Sequence, residues 1–294
     1  MSALNDRLFQ AFARRFPTHR VSENVWGALW RIGFYAMGPA EPFVMRTPHY
    51  SLWAHPRKGT LTRTVIRRGS WEKALTSRFV EHLRPGMFVV DAGANFGHFG
   101  LVAAGAVGPA GRVVAFEPHG PTFAMLERNI ALNGFSQMQA VRAALSDVDG
   151  ETVLISDAAN PGGHSLDAAN VGAACGESAV PVHTLDRWLA ERAPGRRVDL
   201  LKIDVQGFEA HLLAGAAQTL ARDRPVVFCE VSADMLRRAG RSTQQMLAPF
   251  EAAGYRLTMV WDSQDEARTL SFAEAEAWFA AHDAHVDLIL TPPG

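Results

Sequence analysis

Cysteine is nearly absent. The chain has two in 294 residues, Cys175 and Cys229. They lie far apart and lack metal-ligand spacing, which excludes a disulfide framework and a structural zinc site. Neither sign of charge is in excess. There are 29 basic and 30 acidic residues, for a formal net charge of -1. A large phosphate-tracking surface needs a basic surplus, so nucleic acid is not an expected partner. Long apolar runs are missing too. The first 20 residues interleave charged and apolar side chains and do not form a secretory leader. With so little cysteine, this fits a cytoplasmic protein. Val25–Met37 is the most apolar stretch near the start, but Arg31 interrupts it and it is too short to span a bilayer. It suits a helix packed against the domain, or one lying on a membrane surface. Internal repeats and low-complexity tracts are also missing. What remains is globular composition, 48% hydrophobic and 20% charged. That excludes global disorder and supports a sizeable core.

From about residue 86 onward, short β-rich runs alternate with longer helical ones. The runs are Phe88–Asp91, Arg112–Glu117, Met138–Leu145, Val198–Asp204, Pro225–Val231, Tyr255–Trp261 and His285–Leu290. Stretches such as Val113-Val-Ala-Phe116 and Val226-Val-Phe-Cys229 are apolar throughout, as strands covered on both faces are. Helices are expected over Lys73–Leu83, Phe96–Val107, Pro121–Asn133, Phe208–Leu220, Thr243–Ala253 and Phe272–Ala281. Gly134 and Gly254 serve as stops, and Ser242 as an N-cap. This rhythm predicts an α/β fold: a doubly wound, mostly parallel, seven-stranded sheet. Residues 1–70 lie outside the rhythm, as an N-terminal helical and extended section with extended pieces at Phe43–Thr47 and Tyr50–Ala54. Residues 71–294 form the main domain. An insert at about 146–184 interrupts it with Glu151–Ser156, the small-residue loop Asn160–Ser165 and Ala179–His183. Long loops in compact domains are usually functional, and this one is placed to cover a ligand site.

The most informative segment is Val89-Val-Asp-Ala-Gly-Ala-Asn-Phe-Gly97. A strand leading through glycines into a helix lets backbone approach a nucleotide-like ligand. A dinucleotide fingerprint would read Gly-x-Gly-x-x-Gly and set pyrophosphate on the helix N-terminus. Here the order is Asp91-x-Gly93-x-Asn95-x-Gly97. Asp91 at the strand end would repel pyrophosphate but suits a cationic ligand, and S-adenosyl-L-methionine carries a sulfonium, an amino group and no phosphate. Glu117-Pro118 ends the second strand, where a carboxylate can accept both hydroxyls of a ribose. Phe96 is placed either beside that ligand or in the core. Asp204, at the carboxyl end of the fourth strand, faces the expected crevice as base, orienting group, cofactor contact or metal ligand. Glu209, five residues on, serves either the site or the helix dipole. Glu230 ends the fifth strand. His164, in the insert loop, is the side chain best poised to take a proton near pH 7. The acids could supply oxygen ligands to a divalent metal, but they are too few and scattered for metal to be favoured.

Together these stretches resemble the FkbM family of S-adenosylmethionine-dependent methyltransferases. The matching words are Gly69-Ser-Trp-Glu72, Asp91-Ala-Gly-Ala-Asn-Phe-Gly97, Val114-Ala-Phe-Glu-Pro118, Ala143-Ala-Leu-Ser-Asp147, Leu201-Lys-Ile-Asp-Val-Gln-Gly-Phe-Glu209, Leu213-Ala-Gly-Ala216 and Phe228-Cys-Glu230. The resemblance implies a Rossmann-like class I methyltransferase fold and O-methylation of a hydroxyl on a sugar, glycolipid or natural-product acceptor. It also implies that Leu145 and Ser146 line an adenine pocket with Asp147 near the amino group, and that Glu72 closes over the amino-acid end of the cofactor. One word departs from the pattern. The family's common Lys-Ile-Asp-Val-Glu-Gly has Gln206 in place of its glutamate here, and glutamine cannot accept a proton at neutral pH. A non-catalytic cofactor-binding member of the fold is therefore one alternative. A nicotinamide-dependent oxidoreductase is another, disfavoured by the missing Gly-x-Gly-x-x-Gly and by Asp91.

Overall fold

The computed structural model describes residues 41–54, 65, 71–157, 163–261 and 265–294. Val25–Met37 and Asn160–Gly162 lie outside them. The chain divides into two compact units, Met1–Trp71 and Glu72–Gly294. In the first, β1 (Phe43–Arg46) and β2 (Ser51–Ala54) pair as an antiparallel hairpin. Side chains alternate across it, with Phe43 and Met45 buried and Val44 exposed, as a period of two dictates.

The second unit opens with α1 (Lys73–His82), then runs β3 (Phe88–Ala92), α2 (His98–Val107), β4 (Arg112–Phe116), α3 (Gly120–Asn133) and β5 (Met138–Val141). The insert supplies β6 (Ala144–Leu145), β7 (Gly150–Asp157) and β8 (Ala174–His183). The chain continues through α4 (Leu185–Arg192), β9 (Leu200–Ile203), α5 (Glu209–Ala214), α6 (Ala217–Asp223), β10 (Val226–Ser232) and α7 (Ala233–Arg238). It ends with α8 (Thr243–Ala252), β11 (Arg256–Trp261), β12 (Glu266–Leu270), α9 (Phe272–Ala281) and β13 (His285–Thr291).

The main sheet has eight strands in the order β12-β11-β13-β10-β9-β3-β4-β5. β5, β4, β3, β9 and β10 are parallel neighbours, and β13 runs antiparallel between β10 and β11. The chain leaves β3 toward β5 and returns to β9 on β3's other side. The crevice at this switch point, beyond the carboxyl ends of β3, β4 and β9, is where ligands bind in open α/β sheets. The expected doubly wound sheet is present, with one strand more than predicted. β12 was hidden by its charged, half-exposed sequence Glu266-Ala-Arg-Thr-Leu270. One face buries Val90, Val114, Leu201, Ile203 and Val227 in the main core. On the other, Phe79 of α1 meets Phe99 of α2 and Phe228 of β10 edge to face, with ring centroids 5.0 and 5.1 Å apart.

Several expected elements are corrected. The run Met138–Leu145 is two strands, because a tight turn (Ala143 N–H to the Val141 carbonyl, 3.0 Å) sends its end out of the main sheet. There β6 pairs with β8, in a three-stranded sheet β6-β8-β7 built by the insert. The helix expected over Phe208–Leu220 breaks at Gly215. A Cβ there would stand 2.0 Å from the Ser146 carbonyl oxygen, so the helix stops to let the chain pass. α4 and α7 were not expected from sequence. Each is short, and each is capped by a side chain, Thr184 and Ser232, accepting from the third helical amide. Among the described residues no helix is long and apolar enough to cross a membrane.

Candidate functional site

The loop after β3 is fixed before any ligand is considered. Gly93 and Ala94 both donate their N–H to the Phe116 carbonyl, at 3.0 and 2.9 Å, and Asp204 N–H donates to Ala92 O at 2.9 Å. Gly93 has φ +79°, and a Cβ built on it would lie 1.8 Å from the Asp204 carbonyl oxygen. Only glycine lets the ends of β3 and β9 approach this closely. Asn95, with φ 53°, donates its N–H to Glu117 Oε2 at 2.8 Å, and His119 N–H donates to Oε1 at 2.8 Å. Glu117 thus ties the loop after β3 to the loop after β4. Burial pushes its carboxyl up to about 7, against the two backbone donors.

Around this frame lies a cavity lined by Gly93, Asn95, Glu117, Pro118, Leu145, His164 and Asp204, with Ala143, Leu154, Leu166 and Phe208 as its apolar wall. Among the described residues it has no lysine or arginine in its lining. The insert closes it. Ser165 Oγ donates to the Gln206 carbonyl at 3.0 Å, and His164 lies against His119 with ring centroids 3.9 Å apart.

Other predicted residues do not line the cavity. Asp91 is 2% exposed and turns under α2, where Oδ2 accepts from Gly100 N–H at 2.8 Å. It caps a helix amide rather than facing the cavity, and burial pushes its carboxyl up to about 7. Phe96 is a core side chain whose carbonyl accepts from Asn129 Nδ2 at 2.9 Å. Gly97 is the left-handed cap of α2, with Leu126 Cδ1 2.6 Å from where its Cβ would be. Ser146 is buried with Oγ donating to Asp147 at 3.1 Å. Asp147 itself is taken by Arg241 at 2.7 Å and His211 at 3.1 Å, away from the cavity. Glu72 sits before α1 with φ 38°, and its charge acts on Lys202 and Glu230.

Two candidate bases are corrected by their hydrogen bonds. Glu209 is 2% exposed, and its Oε1 accepts from Gly207 N–H at 3.0 Å and Val205 N–H at 3.3 Å. It holds the turn between β9 and α5, with its carboxyl raised to about 7 by burial. His164 Nδ1 accepts the Asp157 N–H at 3.0 Å. That bond requires a lone pair on Nδ1, so the neutral ring carries its proton on Nε2. Nε2 is buried and has no partner among the described residues. His164 can therefore donate a hydrogen bond but has no free lone pair for a proton, and burial lowers its pKa further.

The carboxyl ends of β9 and β10 carry the reactive-looking group. Gln206, in left-handed conformation (φ 50°), sends Nε2 to Asp204 Oδ1 at 2.7 Å and to Glu230 Oε2 at 3.2 Å. The charge of Asp204, then burial, then Asp287 push the Glu230 carboxyl well above the ordinary range. Beneath them is a residue that the sequence reading passed over. Lys202 is 1% exposed, between Asp91 on β3 and Phe228 on β10 in register, with Nζ 5.0 Å from the Phe99 ring centroid. Burial pulls its pKa down, but Asp204, Asp287, Glu72 and Glu230 outweigh that and hold it above the ordinary lysine value. Its signal was a lone cation inside the apolar run Leu200-Leu-Lys-Ile203. On the far side of Gln206 lies a groove of about 400 Å³, lined by Asn170, Ser232, Asp234, Met235, Arg238 and His285 among others.

A family model described as the methyltransferase FkbM domain matches residues 91–257, more than half of the chain. Methyltransferase 1 of Beauveria bassiana (strain ARSEF 2860) is 33% identical over 144 residues, 44% of this chain and 57% of that protein. Methyltransferase sdnD of Sordaria araneosa is 30% identical over 165 residues, 46% of this chain and 62% of that protein. The chain thus spans about three-fifths of the length of these relatives. A crystal structure of methyltransferase FkbM from Methylobacillus flagellatus KT aligns at TM-score 0.43 and 14% identity, over 78% of this chain and 54% of that one. The loop Asp91–Gly97, the Glu117 acid and the Asp204–Glu209 turn all lie within the matched residues, and the chain belongs to the FkbM methyltransferase domain family.

Proposed function

We propose that this protein transfers a methyl group from S-adenosyl-L-methionine to a hydroxyl of a small sugar, glycolipid or natural-product acceptor. The observation that carries the reading is the cavity itself. It offers a buried carboxylate, Glu117, an apolar wall and, among the described residues, no lysine or arginine for a phosphate. Those groups fit a nucleoside with a positively charged tail. When bound, the cofactor supplies a methyl carbon already activated by its sulfonium. The protein's part is placement and proton removal. Glu117 would accept the ribose hydroxyls through the lone pairs its two backbone donors leave free. The neutral His164 would donate from Nε2 into the same space. Asp204, where the cavity meets the Gln206 turn, is the carboxylate placed to take the acceptor's proton. The groove beyond Gln206, with its mixed acids, hydroxyl and histidine, suits a polyhydroxylated acceptor.

Glu117 gives the test. Glu117→Gln keeps the shape but sets an amide against one of two backbone donors and removes the charge. Calorimetric affinity for S-adenosylmethionine should fall about 10- to 100-fold, the equivalent of one hydrogen bond to a charged group. The parent's affinity should also weaken as pH drops through about 7, because the protonated carboxyl accepts poorly, and the variant should lose that dependence. Equal affinity in parent and variant would remove Glu117 from the site.

A further inference from the structure

The nucleoside cavity and the polar groove share one lining residue, Gln206. It is also the residue that departs from the family's common word. Its backbone is held from both sides. The carbonyl accepts from Ser165 Oγ at 3.0 Å and Asn170 Nδ2 at 3.3 Å, and Glu209 fixes the following amide. A left-handed glutamine costs about 1–2 kcal/mol, and such strain persists where surroundings over-determine it. The side-chain orientation is forced. Reversing the amide would turn its oxygen, which can only accept, toward the Asp204 carboxylate at the shorter of the two contacts.

Resting on the methyl-transfer reading, we propose that Gln206 is a positioning residue that holds Asp204 and Glu230 as a carboxylate pair sharing one proton, with Asp204 toward the acceptor and Glu230 behind it. The amide donates to both acids, satisfying the pair without adding a further negative charge. During transfer the acceptor's O–H bond breaks and its proton goes to Asp204. The acceptor oxygen gains the methyl carbon while sulfur keeps the electron pair of the broken S–C bond. Glu230 gives the proton a way out. Its Oε1 lies 3.8 Å from Nδ1 of His285, a half-exposed ring at the groove. The titratable groups around Glu230 come from every neighbouring element: Asp204 after β9, Asp287 on β13 and Glu72 before α1, with Lys202 on β9 as the cation and the His285 ring on β13 beside it. A glutamate at 206 would put three acids around one point, where like charges cannot all ionise.

The test is a pH titration by NMR of the full chain carrying 13C at the glutamate carboxyl carbon. The resonance absent in Glu230→Gln identifies Glu230. In the parent, Glu230 should still hold its proton at pH 7. Gln206→Leu, which deletes both donors, should raise its midpoint by about one to two pH units. Gln206→Glu, isosteric and therefore informative if the leucine variant does not fold, should make the cluster bind one further proton at pH 7. A glutamine with only a packing role would leave the Glu230 midpoint unmoved in Gln206→Leu. Glu230 titrating in the ordinary carboxylate range, or unmoved in both variants, would overturn the proposal. Calorimetry of the parent with S-adenosylmethionine separates the two readings. Failure there removes the methyl-transfer role and leaves the titration's answer on the pair intact.

Discussion

Gly93→Ala should abolish S-adenosylmethionine binding. The added methyl would lie 1.8 Å from the Asp204 carbonyl oxygen, a backbone atom with nowhere to go, at a residue with φ +79°. Left-handed alanine costs about 1–2 kcal/mol, and overpacking a site that cannot yield adds about 1–3 kcal/mol. The domain can absorb that by parting the carboxyl ends of β3 and β9. Parting them moves Asn95, Glu117 and Asp204 relative to one another, because the Gly93 and Asn95 amides tie the loop to the end of β4 while the Asp204 amide ties β9 to β3. Misplacement on the order of 1 Å costs about 100-fold in a site that works by alignment. Calorimetry should therefore show no binding, while circular dichroism shows a folded domain with a lower Tm. Binding at parental affinity would mean that the contact between β3 and β9 does not shape the site.

Lys202→Met should cost the most stability of any single change at the site. The side chain is 1% exposed, and Asp204, Asp287, Glu72 and Glu230 all act on it. Removing one partner of a buried charge network leaves the rest uncompensated, at about 3–5 kcal/mol. The lysine's raised folded pKa means that its stabilising charge is fully present below the ordinary lysine pKa and lost only as pH rises through the higher folded value. Across pH 5 to 9 the lysine is thus always charged, and the pH dependence of the defect comes from the acids. Glu230 already prefers its protonated form, so lowering the pH relieves the variant by neutralising what the lysine used to balance. Urea unfolding should show a gap between parent and variant that is widest near pH 8 and narrower near pH 5. A gap that does not change with pH would assign the loss to packing around Phe99 alone.

The parallel core of the sheet was legible because its strands are covered on both faces and read as continuous apolar runs. Its edge was not. β12 alternates charged and small residues in a half-exposed strand that no apolar run marks. Within the site, Gly93, Asn95, Glu117 and Asp204 were legible because position at strand ends and glycine spacing are properties of the chain itself. Which way a carboxylate turns is not. Asp91 and Glu117 both end strands and are both buried, yet one bonds Gly100 inside a helix and the other faces the cavity. The difference is set by where α2 lies over β3. His164 read as a base because its residue type titrates near neutrality. The Asp157 amide that takes its lone pair is fixed by the insert's fold, which sequence spacing does not reveal. The Gln206 departure was visible, but its bridge from Asp204 to Glu230 depended on β9 and β10 being neighbours.

The decisive measurement is calorimetric titration of the parent protein at pH 8 with S-adenosylmethionine, beside an identical titration with NAD. A cavity with a buried carboxylate and, among the described residues, no lysine or arginine in its lining should bind the first with micromolar affinity and give no heat with the second. Binding of NAD, or heat from neither, would contradict the assignment of the cavity to a phosphate-free, positively charged nucleoside.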